Sequence, residues 1–435
     1  MRNIKDTIAA VATSPGEGGI AIIRISGKDA EKILKSIFRP RNAVFEHALM
    51  RYGRCVDKDG NEIDEVMAVL FRAPKSYTRE DVAEIHCHGG RIVTGMVLES
   101  AVNAGARPAE KGEFTYRAFM NGRIDLSGAE AVMGIIGAGS ERAARASLRQ
   151  LKGGASSLIG KSRDKLFELM TLIDAALDFP DEIDEEVTQK RIVSELESII
   201  EGLEKSCDPR AARIAQEGAR VVIAGRPNVG KSSIMNALLH TERAIVTDIP
   251  GTTRDIVSES VTLDGLKITL TDTAGIRETG DIIEKIGVDR ARQALADADC
   301  VLMVLDSSTE MTDEDKELLS LKDERFIIVS NKNDLRRGEG DVCVSALTGE
   351  GMDALINRIK EICQVDEDDE KLMTLRHIDC AERAKQALIR AKGAAYLELM
   401  REDITEALND LSEISGENVS ESVIDGIFER FCVGK

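Results

Sequence analysis

Long apolar runs are missing from this chain. Among its 435 residues, 31% of them charged, no stretch is long enough to cross a bilayer. The amino end also lacks the apolar core of a signal peptide. Eight cysteines are scattered without a C-x-x-C pair, which points to a reducing, cytoplasmic setting rather than a disulfide or zinc framework. A surplus of positive charge is missing too. The formal net charge is −19, which is not the whole-surface signature of a nucleic-acid protein. The imbalance is uneven. Residues 1–119 carry 18 Lys+Arg against 16 Asp+Glu, a net of +2, and the remainder carries 40 against 61, a net of −21. A polyanion would therefore meet local basic patches. The length leaves room for about three domains.

The segment RVVIAGRPNVGKSSIMNALL (220–239) is the most informative one present. Val221–Ala224 is a short apolar run of strand type. It breaks at Gly225 and resumes as an amphipathic helix after Lys231. Gly225-x4-Gly230-Lys231-Ser232 thus has both the letters and the strand–loop–helix setting of a phosphate-binding loop. Asn228, Val229, Gly230, Lys231, Ser232 and Ser233 would surround the phosphates, with backbone N–H groups and the positive helix end converging on them. Lys231 would reach the terminal phosphates and act in catalysis, and the Ser232 hydroxyl would ligate Mg²⁺.

Three further strings follow in the order a GTPase requires. Leu266–Thr271 ends in Asp272-Thr273-Ala274-Gly275, where the carboxylate holds magnesium through water and the Gly amide faces the γ-phosphate. Phe326–Ser330 leads into Asn331-Lys332-Asn333-Asp334, whose carboxylate accepts the N1–H and exocyclic amine of guanine. Adenine has no such donor pair, so the wrong base leaves the site unpaired. Ser345-Ala346 follows the strand Val342–Val344 and offers an amide to the guanine oxygen. Four weak strings, each at a strand end and in order, make a strong guanine-nucleotide signature. In AIVTDIPGTTRD (244–255), Thr253 is the expected second hydroxyl ligand of Mg²⁺, ordered while the γ-phosphate is present.

One departure is informative. Where Ras-like proteins place a water-orienting Gln after the glycine, this chain has Ile276. An aliphatic side chain cannot orient water, and Arg277, Glu278, Asp281 and Glu284 in the following loop all remain open as substitutes. No residue identifies itself as an arginine finger, which elsewhere supplies ~10³–10⁵ in rate. Another cation must then contribute, and the Asn228 side-chain oxygen is placed to help bind a monovalent one.

Around the GTPase the pattern changes. Residues 1–119 alternate β-branched runs (Gly19–Ile25, Glu65–Phe71, Val82–His86) with helical stretches (Lys28–Phe38, Arg91–Ala104), an α+β domain. Asp59-Gly60 reads as a hairpin turn. His86-Cys87-His88 has no further Cys or His nearby, so a turn or pocket wall is favoured over a zinc site. Ser127-x-x-Glu130 reads as a capping box. Helical spacing then runs through Arg149–Leu177 and Val187–Ile214, across an acidic break at Asp178–Glu186. The boundaries expected are an N-terminal domain at 1–119, a helical domain from 120–216 plus 369–435, and a G domain at 217–368. The fold class is multidomain: α+β, all-α, and an inserted α/β P-loop (Ras-like) GTPase domain, an insertion suited to turning nucleotide state into displacement.

The G domain alone fits several families, ribosome-assembly factors among them. Those usually append a basic RNA-binding module after the GTPase, where this chain has an acidic helical segment. The flanks are more specific. PGEGGIAIIRISG (15–27), SYTREDVAEIHCHGG (76–90), GEFTYRAFMNGRIDLSGAEAV (112–132), LDFPDE (177–182), LSEISGE (411–417) and FCVGK (431–435) resemble, in order and over essentially the full length, the tRNA-modifying GTPase family MnmE (TrmE). The resemblance implies an N-terminal domain that binds a tetrahydrofolate one-carbon donor through Arg24, Glu84 and Arg123, and that forms a homodimer. Arg123 stands where the family more often has Lys. The tail is expected to reach the folate site, with Lys435 as a contact. The resemblance also implies a flavoprotein partner, MnmG (GidA), and tRNA as substrate, modified at C5 of the wobble uridine. It selects Glu284 as the water-orienting residue. It further implies K⁺ held by Asn228, Thr247, Ile249 and Thr252, so that GTP is met by Thr247, Thr252 and Thr253 as well.

Overall fold

A computed structural model of the chain describes residues 5–14, 16–40, 44–241, 244–246, 258–272, 293–363, 371–372 and 374–435. They pack as two units. One comprises 1–133, 151–159 and 405–435, the other 134–150 and 160–404. The helical residues expected to form one domain are thus shared between the two.

The first unit is built on a seven-stranded sheet: β1 (Ile8–Val11), β2 (Ile20–Ser26), β3 (Phe38–Arg39), β4 (Arg51–Val56), β5 (Glu62–Phe71), β6 (Val82–His88) and β7 (Arg107–Pro108), in the order β3-β4-β5-β6-β2-β1-β7. Strand alternation sends Ala21, Ile23 and Ile25 of β2 to one face, where they pack with Ile33, Leu34, Val97 and Ala101 of helices Ala30–Ile37 and Arg91–Asn103. Helix Ala30–Ile37 buries Ala30, Ile33, Leu34 and Ile37, the i, i+3, i+4, i+7 stripe that its sequence dictates. The opposite face of β2 and β6 carries Arg24 directly across from Glu84. Beyond the sheet, Phe428 and Phe431 pack with Tyr116 and Leu126. Gly112 (φ +66) admits this packing, since a Cβ there would lie 2.7 Å from the Phe428 carbonyl oxygen. The carboxyl tail is then drawn in. Val433 bridges Lys111, and the Phe114 amide donates to the Lys435 carbonyl at 3.2 Å.

The second unit holds another seven-stranded sheet: β8 (Ala219–Ala224), β9 (Ala244–Val246), β10 (Ser258–Leu263), β11 (Leu266–Asp272), β12 (Cys300–Asp306), β13 (Phe326–Asn331) and β14 (Val342–Cys343), ordered β14-β13-β12-β8-β11-β10-β9. From β14 to β11 all pairings are parallel; β10 and β9 run antiparallel. Apolar clusters cover both faces, as parallel strands require. This is the α/β P-loop architecture expected from the motifs. The insertion is visible in the pairing at its ends. Helix Glu185–Ser206, before the sheet, packs on helix Leu375–Gly393, after it, and the Leu372 amide donates to the Ser206 carbonyl at 2.9 Å.

Three helix boundaries differ from expectation. The capping box at Ser127 does not form. Helix Leu126–Ile136 starts earlier, Asp125 Oδ1 accepting from the Gly128 amide at 2.7 Å, and Ser127 is buried in its first turn. The long pattern from Arg149 is broken at Gly153 (φ +92), so helices Glu141–Leu151 and Gly154–Asp178 are separate. The pattern from Val187 is broken at Cys207–Asp208, because Pro209 opens a new helix, Pro209–Glu217, capped by Asp208.

Candidate functional site

The phosphate loop joins the carboxyl end of β8, at the centre of the sheet, to helix Lys231–Leu239. Gly225 (φ +147) lies against β12, where a Cβ would sit 2.5 Å from the Val304 oxygen. Gly230 (φ +98) caps the helix in the left-handed region, and a Cβ there would collide with the Asn331 amide. The loop is therefore wrapped as tightly as its glycines permit. Lys231 is buried, its Nζ donating to the carbonyls of Gly225 (3.0 Å) and Arg226 (2.9 Å), across the loop where phosphates would lie. Ser232 Oγ donates to Asp272 Oδ2 at 2.9 Å. A hydroxyl and a carboxylate meeting at the loop is the oxygen donor set that magnesium takes, so these residues fit that ion. Ser233 follows in the first turn of the helix.

The segments expected from sequence to recognise the base converge on the same loop. Asn331 ends β13, its Nδ2 donating to the Val229 carbonyl (2.9 Å) and its Oδ1 accepting from the Ala346 amide (3.1 Å). Lys332 Nζ donates to the Asn228 carbonyl (3.1 Å) and to Asp306 Oδ2 (2.6 Å). Ser345 Oγ donates to Asp334 Oδ1 at 2.6 Å, which aims the carboxylate. Asn228 itself adopts φ +63. Asp306, at the end of β12, is a contributor that sequence reading did not find. Burial pushes its carboxyl up, but hydrogen bonds from Lys332 and Ser308 hold it below its ordinary value. An anion on this buried side keeps Lys332 extended across the loop. Its only sequence signal is an aspartate closing an apolar strand. Thr247, Ile249, Thr252, Thr253, Thr273, Ala274, Gly275 and Glu284 lie outside the described residues.

A second constellation lies in the first unit, on the sheet face opposite its helices. Arg24 Nε donates to Glu84 Oε1 at 2.9 Å, both largely buried. The guanidinium groups of Arg24 and Arg123 lie 5.5 Å and 4.6 Å from the centroid of the Tyr77 ring, and Arg123 Nη1 also donates to the Tyr77 carbonyl at 3.0 Å. Glu84, Arg123 and Tyr77 line a cavity of ≈ 550 Å³, with Phe71, Lys75 and Arg79 around them. Lys435 belongs to this neighbourhood: burial and then the Arg24 charge push its amine below the usual lysine range, while Glu84 draws it back up. Glu84 and Arg123 thus line the hollow itself, while Arg24 reaches it through its ion pair with Glu84 and Lys435 through the charges of Arg24 and Glu84. A flat ring with polar edges fits such a site, offered an aromatic face, a carboxylate and guanidinium donors. Tyr77 was not singled out from sequence, although it is one of only four tyrosines. His86-Cys87-His88 is part of β6, not a turn. Alternation turns Cys87 into the core while His86 and His88 face the other way, and burial pushes its thiol up.

The matches to known proteins cover both constellations. Residues 7–123 match the family description "GTP-binding protein TrmE N-terminus", and residues 126–432 match "MnmE helical domain". The tRNA modification GTPase MnmE of Thermoanaerobacter pseudethanolicus is 43% identical over 458 residues, covering 99% of both chains. That of Lactococcus lactis subsp. lactis is 42% identical over 452 residues, covering 99% of this chain and 98% of the relative. The chain belongs to the MnmE family of tRNA-modification GTPases. Among solved structures, the G domain of the Thermotoga maritima FeoB iron transporter is 30% identical with a TM-score of 0.26, covering 34% of this chain and 99% of that one. The MnmE helical match begins at residue 126, where helix Leu126–Ile136 starts, and spans the inserted G sheet.

Proposed function

We propose that this MnmE-family chain hydrolyses GTP in a potassium-dependent reaction. Acting with the flavoprotein MnmG (GidA), it modifies C5 of the wobble uridine in certain tRNAs, adding a carboxymethylaminomethyl or aminomethyl group. The carbon comes from a tetrahydrofolate derivative bound in the first unit. The observation that carries this reading is the convergence of three further guanine-nucleotide segments on the loop 225–232, within a chain whose flanks match the MnmE family along their full length.

In this reading Lys231 neutralises charge on the terminal phosphates, while Ser232 and Thr253 ligate magnesium and Asp272 orders its water. Asp334 accepts from guanine, held by Ser345, and Ala346 offers its amide to the guanine oxygen. Glu284 orients the attacking water in place of the missing glutamine. Asn228, Thr247, Ile249 and Thr252 hold potassium, which supplies the positive charge that an arginine finger provides elsewhere. Arg24, Glu84, Arg123 and Lys435 bind and orient the folate against Tyr77, and the first unit forms the homodimer.

The test has two arms. Wobble uridines from a strain lacking this protein, analysed by mass spectrometry, should lack the C5 group and regain it with the intact protein. Glu284→Ala should bind GTP normally and hydrolyse it at least ~10²-fold more slowly, the scale of a positioned catalytic group. Unchanged wobble uridine in the deletion strain would remove the tRNA reading, and normal turnover by the variant would remove the role of Glu284.

A further inference from the structure

The chain is acidic as a whole, yet one concave stretch of the second unit gathers cations from three elements. Arg142, Arg145 and Arg149 follow one face of helix Glu141–Leu151 at spacings of three and four, over about 10 Å of helix axis. Lys360 comes from helix Met352–Cys363, and Lys267 from β11. A cleft of ≈ 370 Å³ is lined by Arg142, Arg145 and Lys360, with the hairpin turn Asp264-Gly265-Leu266 and Glu141 completing its wall. Three cations in this lining face two carboxylates, with Arg149 about one turn further along the same helix and Lys267 next to Leu266 in sequence. The carboxylates are engaged: Arg145 Nη2 lies 2.5 Å from Glu141 Oε1, and Lys360 Nζ lies 3.0 Å from Asp264 Oδ2. Both Arg145 and Glu141 are mostly exposed, at 65% and 69%. Such a surface pair is worth only ~0–1 kcal/mol, so an incoming phosphate competes for the guanidinium on favourable terms.

The cleft is also built. Thr262 Oγ1, buried, donates to the Gly139 carbonyl at 2.9 Å, fixing the β10–β11 hairpin to the chain that leads into the helix. A Cβ at Gly139 would lie 2.8 Å from Lys267 Cδ, so the lysine stem crosses the backbone there.

We propose that this cleft docks the phosphodiester backbone of RNA, which on the function proposed above is the substrate tRNA. An extended row of cations suits repeated phosphates better than a lone one, and arginine forks match phosphate oxygens. The lining holds no aromatic ring on which a base could stack, so the contact is to backbone and independent of sequence. In a protein of net −19, a concave basic wall is where a polyanion finds a favourable potential. The hairpin that forms this wall carries Asp272 at its other end, about 20 Å along β11, beside Ser232. RNA held here touches the strand that ends at the magnesium side of the nucleotide site.

The experiment is tRNA binding by the full-length protein, measured by filter retention of labelled tRNA over about 50–200 mM KCl. The double variant Arg145→Ala with Lys360→Ala should bind roughly 10-fold more weakly at the low-salt end. Its slope of log K against log salt should be shallower by about two, one per lost phosphate contact. GTP affinity should be unchanged, and Arg145→Lys should keep the slope. A double variant with the affinity and slope of the unaltered protein overturns the cleft and leaves the tRNA reading standing. Failure of the unaltered protein to retain tRNA even at low salt overturns both. Normal tRNA binding by the double variant, with loss of flavoprotein binding, makes the cleft a protein-docking surface and overturns the inference.

Discussion

At the scale of single residues, the nucleotide site is a set of short-range decisions. Gly225 and Gly230 are required by close approach of β12 and of Asn331, and Lys231 spans the loop they create. These residues were legible in the sequence because the loop is local: five or six positions fix one another's geometry. Asp306 was not, because its partner Lys332 is 26 positions away and only the β12–β13 pairing brings them together. Tyr77 was hidden for the same reason, since Arg24 and Arg123 flank it from different elements. The residue-scale prediction concerns Asp334. Its carboxylate is aimed by Ser345 at 2.6 Å and would accept two donors from guanine. Asp334→Asn replaces one acceptor by a donor, so the pair of hydrogen bonds is lost. At ~1.5–3 kcal/mol for each bond to a charged group, GTP should bind ~10²–10⁴-fold more weakly. Xanthosine triphosphate, which presents an acceptor there, should bind better than to the unaltered protein. Titration calorimetry with both nucleotides measures this, and unchanged GTP affinity would refute the base contact.

At the scale of elements, the strands that were read lie within a few residues of their observed bounds, but β1, β3, β7, β9, β10 and β12 were not read, and the helix breaks were read poorly. Alternation and β-branching announce a strand directly, whereas the breaks turn on one residue each. Asp125 wins the cap over Ser127, and Gly153 and Pro209 interrupt apolar patterns that continue past them. The element contact least visible in sequence is a charge cluster in the first unit. Arg117, fully buried on helix Glu113–Met120, donates to the Asp6 carbonyl and carboxylate (2.7 Å each), to Glu113 Oε1 (3.0 Å) and to Glu80 Oε2 (3.2 Å). Arg107 closes the ring onto Asp6 and Glu113. The hydrogen bond from Arg107 leads in holding the Asp6 carboxyl below its ordinary value, against burial and with help from Arg117. For Glu113 burial pushes upward, but Arg107, the Glu110 amide and Arg117 outweigh it. Lowered carboxyls stabilise the fold fully above their unfolded values, near pH 4, and that contribution is lost as pH falls through the folded values. Arg117→Met strands these carboxylates, at a cost of ~3–5 kcal/mol at pH 7. The loss should shrink as the pH approaches 4, where protonation relieves the stranded charge while the unaltered protein weakens. Thermal melts of both proteins at pH 7 and pH 4 check this. A gap between their midpoints that does not narrow would mean that the cluster is not the source of stability.

At the scale of the whole molecule, the sequence motifs place a GTPase between helical blocks, and the pairing of helices Glu185–Ser206 and Leu375–Gly393 explains why the insertion is tolerated. The chain leaves and returns at neighbouring points, so the G domain adds a body without pulling these two helices apart. Such an insertion is useful only if hydrolysis is timed, and the timing must come from the missing groups. Ile276 cannot orient water, and no arginine finger identifies itself in the sequence, so on the function proposed above an external cation supplies part of the charge. If potassium beside Asn228 supplies it, the dependence is on ion size rather than on ionic strength. Replacing KCl by NaCl at equal concentration should then lower GTP turnover at least ~10-fold, a modest part of the ~10³–10⁵ that a finger provides. GTP affinity should move far less, because the phosphate and base contacts made by Lys231 and Asp334 do not involve the ion. Phosphate release at saturating GTP in the two salts, beside nucleotide titrations in each, separates these effects. Equal turnover in sodium would show that the positive charge comes from a side chain, with Arg277 of the loop after Ile276 the first to replace.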